Sequence, residues 1–269
     1  MTQFYSIHCK THLHVGSGDS NYGVIDKLIQ RDPATQTPCI FASSLKGAFR
    51  EYFKIKNGDA LTDTIFGKSE KSKTDKSKLV FHQAYTLSIP IRSNKVPYFN
   101  MTSPNAIDDL VELLEMLEKS AYLTLISELS SFKKQAQKGK LVLFHQPIEG
   151  LHIEDFDESE IVFDQSYNVP KSISTLFGDQ PVLADNEHYL EMCSDYRLPV
   201  IARNNLENGQ SKNLWYEQIM PRASRFFFAV TPLDEPICID FFSEFKEERF
   251  VQIGANATIG YGVCSIVPF

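Results

Sequence analysis

At 269 residues, 42% of them hydrophobic and 23% charged, the chain has ample apolar material for a large core, which excludes a disordered or collagen-like protein. The formal charge is −7, but residues 1–100 carry 14 Lys and Arg against 8 Asp and Glu, and residues 101–269 carry 13 against 26; a basic portion able to meet phosphate is thus segregated from an acidic one, although a plain solvated surface gives the same split as often. Five scattered cysteines without a C-x-x-C pair argue against a structural zinc site or disulfide framework, and with no long apolar run and no basic-apolar leader the chain reads as cytoplasmic, with no membrane partner.

Residues 4–15 alternate apolar with small or polar side chains over a strand's length. They run into His14-Val15-Gly16-Ser17-Gly18, a glycine turn whose N–H groups can approach an anion without side-chain obstruction. The stretch through Gly23-Val24-Ile25-Asp26 to Arg31-Asp32-Pro33-Ala34-Thr35 is interrupted by a proline turn and reads as a loop or strand edge. Ser43-Ser44 is a helix N-cap signal, after which Leu45, Phe49, Tyr52 and Phe53 recur at helical spacing until Gly58. In its opening turn the Ser44 hydroxyl and Lys46 ammonium can join free N–H groups on one phosphate, while ordinary capping and a solvated lysine account for the same residues. Segment 68–78, with five lysines, two acids and no apolar periodicity, reads as a mobile surface loop.

Residues 79–91 read as one long or two short strands and 96–101 as another. Ser103-Pro104-Asn105 caps a helix over 106–119, with Ile107, Leu110, Val111, Leu114 and Leu117 on one face and Asp108, Asp109, Glu112, Glu115 and Glu118 on the other. A helix over 123–136, strands at 140–145 and 159–163 and a helix at 186–195 follow. The tail reads as strands at 198–203, 214–220, 224–231 and 262–267, a helix at 239–248, and a second glycine turn, Gly254-Ala255-Asn256-Ala257-Thr258-Ile259-Gly260-Tyr261-Gly262. Helices and strands mix without strict βα alternation. The class is therefore α+β with largely antiparallel sheet, in one domain with an insertion at about 105–195. No internal repeat and no organic-cofactor motif is present.

Three segments together, Gly23-Val24-Ile25-Asp26, Ile29-Gln30-Arg31-Asp32-Pro33-Ala34-Thr35 and Ser43-Ser44-Leu45-Lys46-Gly47-Ala48-Phe49-Arg50, resemble the RAMP superfamily of CRISPR-associated proteins. Within it they are similar to the repeated backbone subunit of the type III-B (Cmr) effector. Leu214-Trp215-Tyr216-Glu217 and the closing glycine turn extend the likeness to both ends of the chain. Ala255 stands where the family often has glycine, and Phe41-Ala42 where proline and glycine are common. The resemblance implies a ferredoxin-like or RRM-like palm with helical insertions and a β-hairpin thumb. It also implies copies of the chain in a helical filament with other type III subunits, holding one crRNA and cleaving complementary target RNA at regular intervals. The alternatives are a crRNA-binding scaffold that does not cut and a stand-alone guide-processing RNA endonuclease.

By that resemblance Asp26 is the residue associated with target cleavage. A loop carboxylate can hold a transient divalent cation, Mg or Mn, at an RNA phosphate, or accept the proton of a ribose 2′-OH. The expected products are a cyclic phosphate and a 5′-hydroxyl. An isolated loop aspartate ordinarily caps a turn; the surrounding motif is what assigns it chemistry. His14 either orients a phosphate or shuttles a proton, or simply packs as strand histidines more often do. Glu217 either shares the metal with Asp26 or pairs with a Lys or Arg. Trp215 and Tyr216 either stack on bases or pack in the core, the commoner fate of large aromatics on a strand. Guide-binding candidates, reading phosphate and sugar, are Gly16, Ser17, Gly18, Ser44, Lys46, Arg50, Gly254, Asn256, Thr258, Gly260 and Gly262.

Overall fold

The first strand, Gln3–Cys9, buries Phe4, Tyr5, Ser6, Ile7 and Cys9, so both of its faces are covered, as suits the interior of a sheet. It pairs antiparallel with Val263–Pro268, from Tyr5 opposite Pro268 to Cys9 opposite Cys264. The computed structural model describes residues 1–19, 23–70 and 73–269, in which the chain forms two compact units: 1–84 with 198–222 and 227–269, and 85–197 with 223–226.

In the first unit the strands lie in the order Leu79–Phe81, Arg225–Pro232 (contributing from Phe227 onward), Gln3–Cys9, Val263–Pro268, Arg249–Gln252. With helix Ala42–Asn57 after the first strand and helix Glu235–Glu244 after Arg225–Pro232, the first four follow the order of a ferredoxin-like βαββαβ arrangement. Aromatic side chains join helices to sheet. Phe49 on the first helix lies 5.4 Å from Phe228 and 4.9 Å from Phe245, and Phe241 lies 4.9 Å from Phe245. Burial of rings of this size is the main source of cohesion in such a layer.

A second sheet in this unit has the order Val200–Glu207, Gln210–Gln218, Lys27–Ile29, Gly16–Asp19. Its first two strands form a hairpin from Val200 opposite Gln218 to Glu207 opposite Gln210, with a bulge at Asn205/Leu206. Asn208 (φ 52°) and Gly209 (φ 78°) form its turn. This Asn-Gly pair favours the left-handed two-residue connection whose twist matches a hairpin.

The second unit orders its strands Ile161–Phe163, Leu141–Leu143, Pro181–Ala184, Tyr98–Thr102, Ala84–Arg92, the last contributing from Tyr85 onward. Helix Pro104–Glu118 is capped by Ser103, whose Oγ accepts the Ala106 N–H at 3.3 Å. Its buried residues are Ala106, Ile107, Leu110, Leu113 and Leu114; Leu113 takes the place expected for Val111 and Leu117, which are half-buried. Helix Leu123–Lys133 packs Leu129 and Phe132 into the same core as Phe177 and Val182.

Other departures from expectation are local. The first helix is capped by Phe41 with no side-chain bond, so Ser43 and Ser44 lie inside its first turn. Gly16-Ser17-Gly18 is part of strand Gly16–Asp19, with Gly18 at φ 108° marking an irregular register, rather than a free turn. Helix Asp59–Phe66 follows Gly58 directly. In the lysine-rich segment Ser69–Glu70 pairs with Lys73–Thr74; Lys71 and Ser72 lie outside the described residues. No helix among the described residues is long and apolar enough to cross a membrane.

Candidate nucleic-acid interface and cleavage site

The two glycine segments come together. Between residues 12–14 and the closing loop, the Gly262 N–H donates to His12 O at 2.7 Å and the Ala255 N–H to His14 O at 2.9 Å. Gly254 (φ 79°) and Gly262 (φ 74°) are required there, since a Cβ on Gly254 would press into His14 O and one on Gly262 into Ile253 O, both well inside the 3.0 Å that real Cβ atoms keep. Gly260 (φ 82°) has nothing within 4 Å of a Cβ. The N–H groups of Ala255, Ile259, Gly260, Tyr261 and Gly262 are spent within the protein. The closing loop therefore offers phosphate few amides, and two of its glycines serve close packing first.

Beside this junction runs a groove of about 670 Å³, lined by Gly16, Gly254, Gln252 and Phe250 and by Ser43, Ser44, Gly47, Glu51 and Tyr52 of the first helix, with Gln30 between them; its one charged lining side chain among the described residues is the Glu51 carboxylate. Sequence reasoning missed Gln30, whose buried amide ties these parts together. Its Nε2 donates to Gly16 O at 3.1 Å and to Ser44 Oγ at 2.9 Å, and its Oε1 accepts the Phe41 N–H at 2.7 Å. Gln30 thus satisfies one end of the helix and fixes it against the glycine strand. Ser17 donates from its hydroxyl to Leu28 O at 3.2 Å, and Thr258 is exposed. Lys46 and Arg50 do not line the groove. Arg50 is committed elsewhere, donating to Gly67 O at 2.6 Å and to Asp63 Oδ1 at 2.5 Å. Burial and then the nearby Arg50 charge hold the Lys46 ammonium below its ordinary pKa.

Asp26 is exposed and held by its neighbour on the hairpin: the Tyr216 N–H donates to Asp26 Oδ2 at 2.7 Å, and the Asp26 N–H donates to Tyr216 O at 3.1 Å. The next residue, Lys27, pairs in register with Glu217, so Asp26 sits at the base of the hairpin. His14 is only 3% exposed, and its Nδ1 lies 2.7 Å from Gln218 O. A carbonyl can only accept, so Nδ1 carries the proton and Nε2 faces Gly16. His14 therefore packs, with one nitrogen toward the glycine strand.

Glu217 is 2% exposed and surrounded by donors. Trp215 Nε1 donates to Oε1 at 2.7 Å and Asn256 Nδ2 to Oε2 at 2.8 Å; Lys27 Nζ is 3.5 Å from Oε1 and Arg203 Nε 2.6 Å from Oε2. Burial pushes its carboxyl up, but Trp215, Asn256, Arg203 and His14 outweigh that and hold it below its ordinary value, hence ionised. Of the two readings the pairing with Lys and Arg is the one these contacts build. Trp215 is half-buried beneath Lys27, whose Nζ lies 5.4 Å from the ring centroid, and Tyr216 is exposed, so neither is a core residue. Among the described residues no three His, Cys, Asp or Glu side chains cluster as a metal cage. A cation at Asp26 would have one protein carboxylate and would draw its other ligands from RNA oxygens and water, a set Mg²⁺ accepts.

The RAMP superfamily pattern matches residues 6–265. The Cmr endoribonuclease Cmr4 of Pyrococcus furiosus is 27% identical over 281 residues, covering 95% of this chain and 92% of its own. Among solved structures, the type III-B Cmr-beta complex in its apo state and bound to cognate target RNA contains chains that match with TM-scores of 0.84 and 0.83 at 22% and 20% identity, covering 100% of this chain and 97% of theirs. Oligomeric Cmr4 from Pyrococcus furiosus matches with a TM-score of 0.74 at 18% identity, covering 100% and 98%. These structural likenesses show a shared fold.

Proposed function

The chain belongs to the RAMP superfamily, and from that premise we propose that it is the repeated backbone subunit of a type III-B CRISPR effector, an endoribonuclease that works only in the assembly. Copies of the chain, with other subunits, line one crRNA and cut the target RNA paired to it. The observation that carries this reading is the likeness, over 95% of the chain, to a relative named as a Cmr endoribonuclease. An assembly with cognate target RNA and an oligomer among its structural neighbours support the partners.

In this reading the groove beside Gly16, Ser44 and Gly254 takes guide backbone, with contacts that are indifferent to sequence. The hairpin 200–218 acts as the thumb, presenting exposed Leu214 and Tyr216 to splayed bases. Asp26 at its base accepts the proton of a target 2′-OH, and that oxygen attacks the adjacent phosphorus as the P–O5′ bond breaks. A 2′,3′-cyclic phosphate and a 5′-oxygen result, the latter taking its proton from water. The Tyr216 N–H fixes one Asp26 oxygen, which aims the other. In the alternative role for Asp26, its carboxylate would hold a divalent cation together with RNA oxygens and water, and that cation would supply charge neutralisation at the phosphate.

The test is an assembly reconstituted with guide RNA carrying Asp26→Asn. Target binding is retained and cleavage is lost. An Asp26→Asn assembly that cuts at the wild-type rate overturns the assignment, and a wild-type assembly that binds target without cutting in Mg²⁺ makes the chain a scaffold instead. Chelation of divalent cations abolishes cleavage and spares target binding; cleavage that persists removes the cation from the reading.

A further inference from the structure

We infer that Arg203 is a positioning residue for the cleavage site: it anchors Glu217, and through Glu217 it fixes the strand Lys27–Ile29 that begins beside Asp26. The inference rests on the function proposed above and adds to it a residue that no motif marked.

Arg203 and Glu217 project from the same face of the hairpin, Arg203 standing opposite Trp215 and Ile201 opposite Glu217. Arg203 Nε lies 2.6 Å from Glu217 Oε2, and its guanidinium lies 4.8 Å from the centre of the Tyr261 ring in the closing loop. Tyr261 in turn packs edge-on to His12, 5.8 Å away. The Arg203 side chain is only 16% exposed, whereas the other cation near Glu217, Lys27, is 40% exposed. A half-exposed ammonium is screened by water and salt, so Arg203 is the principal counter-charge of a buried carboxylate. Despite the short approach, neither Arg203 Nε–H nor Nη2–H is aligned on an acceptor among the described residues. The guanidinium is thus placed by charge and ring stacking, with Nε and Nη2 buried.

Glu217 transmits that placement. Its Oε1 holds Trp215 Nε1 and attracts Lys27 Nζ, the residue next to Asp26; its Oε2 holds Asn256 of the closing loop. Removing Arg203 leaves a buried carboxylate with one screened cation. The carboxylate then draws Lys27 inward or takes a proton, and either response shifts the strand end that adjoins Asp26. Small displacements of a reacting group are costly in rate while leaving binding intact.

The test compares Arg203→Ala, Arg203→Lys, Glu217→Gln and Arg203→Ala/Glu217→Gln assemblies with wild type and Asp26→Asn. Single-turnover cleavage at saturating target falls on the order of 10- to 100-fold in Arg203→Ala, target affinity changes little, and Arg203→Lys restores most of the rate. The double variant cuts no more slowly than Arg203→Ala. Trp215 is the only tryptophan, so emission of the purified full chain reports on the cluster: it shifts in Arg203→Ala and not in Arg203→Lys. Target affinity that falls in step with the rate would make Arg203 an RNA contact, and an unchanged rate alongside shifted emission would leave it a purely structural residue; each result overturns the inference while the loss of cleavage in Asp26→Asn stands. A wild type that binds target without cutting overturns both readings.

Discussion

Gly254→Ala and Gly260→Ala place the same methyl group at nearly the same backbone angle, φ 79° and 82°, but in different surroundings. A left-handed conformation costs a non-glycine residue about 1–2 kcal/mol. At Gly260 that is the whole effect, because nothing lies within 4 Å of the new Cβ. At Gly254 the Cβ runs into the His14 carbonyl, the acceptor of the 2.9 Å bond from Ala255. Backbone must shift, adding about 1 kcal/mol for the lost hydrogen bond and 1–2 kcal/mol for overpacking. The total for Gly254→Ala is about 3–5 kcal/mol against about 1–2 kcal/mol for Gly260→Ala. In a chain of this size the melting temperatures drop by about 6–20 °C and about 2–8 °C. Urea denaturation and thermal scans of both purified variants measure the contrast. Equal losses, within about 0.5 kcal/mol, would refute the claim that close approach to residue 14, beyond backbone angle, demands glycine at position 254.

Gln30→Leu strands the Phe41 N–H and releases Gly16 and Ser44; it lowers stability by about 2–3 kcal/mol in denaturant titrations and weakens guide RNA retention. Arg50→Ala, which breaks the Asp63 and Gly67 contacts, lowers stability by about 1 kcal/mol and leaves guide affinity unchanged within twofold in filter binding, because this arginine holds two helices together. Glu217 is held below its ordinary value of 4.5, so its stabilisation is complete above that pH and is lost as pH falls through the depressed folded value. Unfolding midpoints measured from about pH 6 to pH 3 fall for wild type in that acid window, and Glu217→Gln removes this part of the slope.

Helices with sustained periodicity were legible: the apolar residues Leu45, Phe49 and Phe53, and Ile107, Leu110 and Leu114, mark their buried faces at every turn. Two short helices, Asp59–Phe66 and Lys171–Phe177, escaped because two turns hold few apolar positions from which to set a period, whereas the equally short Asn186–Met192 falls within the helix expected at 186–195. Strand Pro181–Ala184 is buried at every position and so lacks alternation. Asn208-Gly209 was a usable hairpin signal that strand periodicity alone passed over. At the site, the glycines and Asp26 stand out by residue type and motif. The partners that give them meaning do not, because Tyr216 meets Asp26 and Asn256 meets Glu217 across 190 and 39 residues of chain. Such pairings are set by sheet register, which no local pattern records.

The pairing of the strand at residues 3–9 with that at 263–268 also has a temporal side. On the ribosome, residues 85–197 emerge as a continuous stretch able to collapse early, whereas the sheet of the other unit waits for its closing strand to be synthesised. Until then Phe4, Tyr5 and Ile7 lack one neighbour, and residues 12–14 have no closing loop to clasp. A nascent or truncated polypeptide therefore lacks both the clasp between residues 12–14 and the closing loop and the Gly254 edge of the groove, features that only the last residues translated can complete.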